Sequence, residues 1–319
     1  MKTRSLTEGA MLGAITVLIT IVGEYLGIPA LIVPVPLILL VYRQGFQMGI
    51  LTAVAAALIS SLVAGHVFSG LSILIWGFVG VAVGMALREK FSFSKLMVVG
   101  VLSNLVVMAL NVLLYSLIFG ENLFNEMLGF MIESMERAMS ISEGLGVAGD
   151  AMAKYERMLD AIPFIFKYGL PSLLVIYALV MSYINLLVTR LILKRMGDEV
   201  PWISPFVHWR ISSWYVIPLL AGMYLTALAQ MTDLTPWLKY LGLNMFIVFF
   251  YLYLVIGLAV VWHYFKRKNV AKFLRGLFLL LLFSIEPLVL VVAFLGVSDG
   301  LFDYRKLKAK SDMQIKMEE

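Results

Sequence analysis

The chain has 319 residues, of which 61% are hydrophobic and only 14% charged, and it contains no cysteine. Such proportions exclude a soluble globular domain, and the lack of thiols excludes a disulfide framework, a thiolate metal site and a cysteine nucleophile. The net charge of +5 is no nucleic-acid signal, because the basic residues cluster between apolar segments.

The first apolar run, Leu6 to Ile28, is long enough to cross a bilayer as a helix. It is too long for the h-region of a signal peptide, so it is expected to be retained. Ala10, Gly13 and Ala14 share a narrow face, a spacing that lets helices pack backbone to backbone, and make a candidate helix interface. Pro29, Pro34 and Pro36 then punctuate a second, undersized apolar stretch over 29–42. Further apolar segments run over 46–64, 70–87, 95–119, 164–193, 213–231, 239–264 and 273–296. The reading is an all-α, polytopic transmembrane helical bundle of about eight or nine membrane segments. In the fourth segment Gly77, Gly80 and Gly84 form a second candidate interface, a groove for a neighbouring helix.

Between the fifth and sixth segments, Glu121 to Pro163 is polar and acidic. Phe124, Met127, Leu128, Met131, Met135 and Met139 recur at helical spacing, which predicts a pair of amphipathic helices on the outer side. This pair either lies passively at the interface or forms a methionine-lined lid. Gly144, Gly146 and Gly149 mark a hinge between its two helices.

Polar groups at membrane depth are costly. Glu24, Asn104, Asn111 and Tyr115 are candidate ligand-binding residues, the last three sharing one helical face. Interhelical hydrogen bonding is the plainer role for each asparagine, and for Asn185 and Asn244 as well. Glu286 and Pro287 interrupt the last segment and are candidates for coupling or structure. The segment either spans as a kinked helix or forms two half-helices in a re-entrant hairpin, which would return the tail inside and turn Glu286 toward the bundle interior. His66, His208 and His263 are too scattered for metal, and no phosphate-binding glycine loop or HExxH pattern is present. Neither enzyme chemistry nor a cofactor is expected.

Orientation follows from charge. With the N-terminus inside, fifteen basic residues fall in inner connections and five in outer ones, the tail uncounted. The domain reading is a six-helix membrane domain over 1–195 with the outer insertion 121–163, an inner interfacial linker over 196–212, membrane helices over 213–305 and a polar tail over 306–319. The linker holds Trp202 and Trp209, with Trp214 just beyond it, and these rings suit a membrane interface.

Three stretches carry a family resemblance: Arg4-Ser5-Leu6-Thr7-Glu8-Gly9-Ala10, Phe206-Val207-His208-Trp209-Arg210, and a closing pattern from Gly296 through Asp299 and Asp303 to Arg305. In these the chain resembles the YybS-like family of bacterial membrane proteins. Asp299, Asp303 and Arg305 thereby join the candidate coupling or structural residues. More distantly, residues 5–193 resemble the S components of energy-coupling-factor importers. In those proteins an Ala-x-x-x-Ala on the first helix, matched here by Ala10 and Ala14, packs on a coupling membrane subunit that works with an ATPase.

The expectation is a multi-pass protein of the bacterial inner membrane, N-terminus cytoplasmic, that binds or transports an unknown small molecule. Its partners would be the lipid bilayer and, by the resemblance, a coupling subunit and ATPase, with no nucleic acid. The alternative is a scaffold that transports nothing and recruits envelope or regulatory partners.

Overall fold

Apolar runs without hydrogen-bond partners for their main chain must close those bonds within the helix, and the computed structural model is helical accordingly. It describes residues 3–26, 31–144, 149–200, 202, 205–231 and 235–306. Pro29, Gly146, Pro201 and the tail beyond Lys306 lie outside the described residues. The helices are α1 (Thr3–Leu26), α2 (Pro34–Gln44), α3 (Phe46–Ala64), α4 (Val67–Arg88), α5 (Phe93–Phe119) and α6 (Leu123–Gly144). They continue as α7 (Asp150–Arg195), α8 (Val216–Met231), α9 (Pro236–Arg267), α10 (Lys272–Ser284) and α11 (Glu286–Phe302).

Six of these helices are long and apolar enough to cross a membrane, and a seventh crossing is counted if α10 and α11 act together. The apolar stretches over 29–42 and 213–231 fall short because their helices, α2 and α8, have 11 and 16 residues. A hydrocarbon core of about 30 Å asks for about 20.

The chain divides into two compact units, residues 1–162 with 174–202, and residues 163–173 with 203–319. The division differs from the boundary near 195 expected from the sequence. The middle of α7 belongs to the second unit, and its remainder to the first.

The first unit is built around α2. Pro34 through Val41 are all buried, so this short helix has no solvent or lipid face along that length. Its room comes from glycine. A Cβ on Gly80 would lie 2.7 Å from Leu37 Cβ, and one on Gly84 would lie 2.7 Å from Val41 Cβ. Gly77 is looser, with Leu37 Cδ1 3.2 Å from the same point. Helix α1 turns Gly9 and Gly13 toward Met48 and Thr52 of α3, while Ala10 and Ala14 are exposed. At the other end of α2, Arg43 pairs with Glu8 at 2.9 Å and Gln44 donates to the same carboxylate at 2.6 Å. Glu8 thus ties the first turns of α1 to the end of α2.

The outer connection departs from two separate amphipathic helices. Helix α6 is a separate helix that buries no residue, but its partner is continuous with the sixth apolar segment in the 46-residue α7. That helix runs through Pro163 and Pro171. Proline leaves the carbonyl four residues earlier without its helical donor. In the acidic stretch at the start of α6, Glu126 has its carboxyl pushed above the ordinary range, first by a hydrogen bond with Glu121, then by that neighbour's charge and by desolvation.

In the second unit α9 is the central rod, with α8 and α11 both packed along it. Beside Pro171, Asn244 of α9 reaches into the main chain of α7. Its Nδ2 donates to the Tyr168 carbonyl at 2.7 Å and its Oδ1 accepts from the Ser172 N–H at 2.8 Å. Those are the two groups that an uninterrupted helix joins directly, so the side chain serves as a bridge between them. Gly169 allows this approach, its would-be Cβ lying 2.8 Å from Ile247 Cδ1. Asn244→Leu is expected to cost about 1–3 kcal/mol, the penalty for unpaired buried polar groups. Equilibrium unfolding in detergent measures it. A loss below about 0.5 kcal/mol would mean that the Ser172 N–H simply closes back onto Tyr168.

Helices α10 and α11 meet at a bend of 108°. Glu286 and Pro287 are exposed in the first turn of α11. This corrects the interior placement expected for Glu286: its carboxylate sits at the positive end of a helix dipole, where an acid is stabilised in place.

Candidate functional site

The polar residues of the first unit concentrate between α5 and the later part of α7. Gly100 permits the approach, since a Cβ there would lie 2.9 Å from both Cβ and Oγ of Ser182. Asn104, one turn along α5, is completely buried. Its Nδ2 donates to the Gly100 carbonyl at 2.9 Å and to Ser182 Oγ at 3.2 Å. Ser182 Oγ in turn donates to the Ala178 carbonyl at 2.6 Å. Along α7 the buried polar stripe continues through Asn185, whose Nδ2 donates to the Met181 carbonyl at 2.8 Å, to Thr189. The amide orientations follow from these carbonyls, because an oxygen turned that way would face another acceptor.

Hydrogen-bonding capacity is left over in the seam. Asn104 Oδ1, Asn185 Oδ1 and Thr189 Oγ1 are buried with no hydrogen-bond partner. All three belong to residues no more than 2% exposed. The seam places these polar atoms inside a largely apolar bundle.

The four candidate ligand-binding residues do not gather in one place. Asn104 joins the seam. Asn111, half-buried, donates to the Val107 carbonyl of its own helix at 2.9 Å. Tyr115 packs on Phe119 with ring centroids 4.8 Å apart, and Phe119 stacks on Phe68 at 5.8 Å. Glu24 lies 3.6 Å from His66 Nε2, while His66 Nδ1 accepts from the Ser69 N–H and caps α4. Tyr115 is about 16 Å along α5 from Asn104 at 1.5 Å per residue. Among the described residues no cluster of histidines or acids could hold a metal ion.

Ser182 and Thr189 are not conspicuous in the sequence. With Asn185 they stand at i, i+3 and i+7, a polar stripe on one helical face. A single hydroxyl in an apolar run is ordinarily satisfied by its own helix, and that hid the signal.

The second unit holds a different polar centre. Arg305 Nε and Nη2 donate to Asp299 Oδ2 at 3.0 and 2.7 Å. Nη1 donates to the Val207 carbonyl at 2.8 Å, and Nη2 to that of Trp209 at 2.7 Å. Both side chains of the ion pair are at most 3% exposed. Asp303 ends α11 in the left-handed region at φ 47°, which turns the chain so that Arg305 comes back to Asp299. Two of the stretches that carry the family resemblance thus meet here, in space though not in sequence.

Six helices of spanning length, buried polar seams within them and no strand among the described residues define a polytopic helical membrane protein. The chain belongs to the DUF2232 family, described as a predicted membrane protein, whose pattern matches residues 10–300. It is similar to the Uncharacterized protein YybS of Bacillus subtilis (strain 168), 23% identical over 312 residues that cover 95% of this chain and 98% of the relative. No solved structure matches it.

Proposed function

We propose that the protein binds a small, donor-bearing polar molecule in the seam between α5 and α7 and takes part in moving it across the bacterial inner membrane. The observation that carries this reading is the set of buried polar atoms without a hydrogen-bond partner, the two amide oxygens Asn104 Oδ1 and Asn185 Oδ1 and the Thr189 hydroxyl. An unpaired buried polar group costs about 1–3 kcal/mol by mutational measure. A bundle that needed only packing would be better served there by leucine and valine. The exposed Ala10 and Ala14 supports a second element of the reading, a partner helix on α1 like the coupling subunit of S-component importers. The excess of basic residues in alternate connections favours a cytoplasmic N-terminus.

The test compares small molecules released on denaturing the purified wild type and an Asn185→Leu/Thr189→Val variant, profiled by mass spectrometry. One species is expected in the wild type and depleted at least tenfold in the variant. Identical profiles from two folded proteins would sink the proposal.

A further inference from the structure

We infer that α8, the segment 205–215 and α11 together make one interrupted membrane crossing laid along α9, broken near mid-bilayer and closed there by Arg305. Helix α9 has 32 residues and is about 48 Å long at 1.5 Å per residue. Trp237 and Tyr240 stand near one end and Trp262 and Tyr264 near the other, the placement of aromatic residues at the two faces of a membrane. Its midpoint is close to Tyr251.

Helices α8 and α11 have 16 and 17 residues, about 24 and 26 Å. Neither alone spans a hydrocarbon core of about 30 Å, but end to end they match the length of α9. Their contacts show that they are end to end. Gly222 of α8 packs on the main chain at Phe246, its would-be Cβ 2.5 Å from that nitrogen, and Gly242 packs on Leu225. Tyr215, at the start of α8, stacks on Phe249 with centroids 5.9 Å apart. From the other direction a Cβ at Gly257 would collide with the Val292 carbonyl, and one at Gly296 with the Tyr253 carbonyl. Gly300, near the end of α11, faces the Tyr253 ring at 3.5 Å. The two half-helices therefore approach each other within about one turn of α9, at its middle.

Irregular main chain at that depth needs its polar groups satisfied by protein or by a wet cavity. The guanidinium of Arg305 covers the carbonyls of Val207 and Trp209, and Asp299 balances its charge. A cation at the C-terminal end of α11 also complements that helix's dipole. The placement differs from the inner interface that the tryptophans of 196–212 suggest. It makes the junction a conformational device: opening the clamp uncovers two carbonyls and a carboxylate at mid-depth.

The chain lacks cysteine, so nitroxide labels can be placed singly. Trp214→Cys is the probe, at a residue 75% exposed beside the junction; Tyr251→Cys and Tyr264→Cys, each 40% exposed, are references for the middle and the end of α9. In lipid vesicles the collision rates with oxygen and with a water-soluble nickel chelate report depth. A ratio at position 214 nearer that at 251 is the expected result; one nearer 264 overturns the inference. Adding Arg305→Gln is expected to raise nickel collisions at position 214 at least threefold, and no rise would overturn the clamp as the closure. The depth comparison uses an intact clamp and stands whether or not the Arg305 variant folds.

Discussion

Arg305→Met is expected to destabilise the protein by roughly 3–5 kcal/mol, the usual cost of removing one partner from a buried ion pair. The substitution strands the Asp299 carboxylate, 3% exposed, and removes the donors to Val207 and Trp209. Arg305→Lys is not conservative here. A single ammonium cannot reproduce a planar fork that reaches a carboxylate and two carbonyls at once. The double variant Asp299→Leu/Arg305→Met is expected to regain part of the loss, since no unpaired charge remains, though the two carbonyls stay unsatisfied. Unfolding in detergent at fixed protein concentration measures all three. A wild-type midpoint for Arg305→Met would show that the clamp contributes nothing to stability.

Gly84→Leu is expected to prevent the first unit from assembling, with loss of monodisperse protein after purification. Overpacking a core usually costs about 1–3 kcal/mol, because side chains rotate or shift aside. At Gly84 the obstacle includes the Ile38 carbonyl oxygen, 2.9 Å from the would-be Cβ, and main chain cannot rotate away. Helix α2 cannot retreat either, being buried from Pro34 to Val41. Gly77→Ala is the matched control, for its nearest neighbour is the flexible end of Leu37. A midpoint unchanged to within a few degrees is expected there. Equal behaviour of the two variants would remove α2 packing as the organising contact.

Individual residues show what can be read from a chain like this. Asn104 stood out because an amide in a long apolar run is costly, yet its partner Ser182 lies 78 positions away and nothing local points to it. Ala10, Gly13 and Ala14 read as one small-residue face, but the fold divides them: Gly13 packs on Thr52 and the two alanines face outward. Helical spacing gives a residue's angle around its own axis, and only a neighbour decides which angle is inside. Pro163 closed the outer connection in the sequence, whereas α7 runs through it and through Pro171. The bridge at Pro171 comes from Asn244, 72 residues beyond Ser172.

By itself the sequence determined that this is a helical membrane protein, because apolar runs of spanning length leave the main chain no partner but itself. It also determined where most helices begin and end, through proline and glycine, whose effects on the backbone are local. Tertiary structure alone decided that α2 is a core element, that 163–173 packs with the second unit, and that the stretches at 206–210 and 296–305 close on one arginine. Those outcomes depend on shape matching between segments far apart in the chain, and hydrophobic attraction, being non-directional, leaves the choice of partner to the glycines and polar groups that fit only one way.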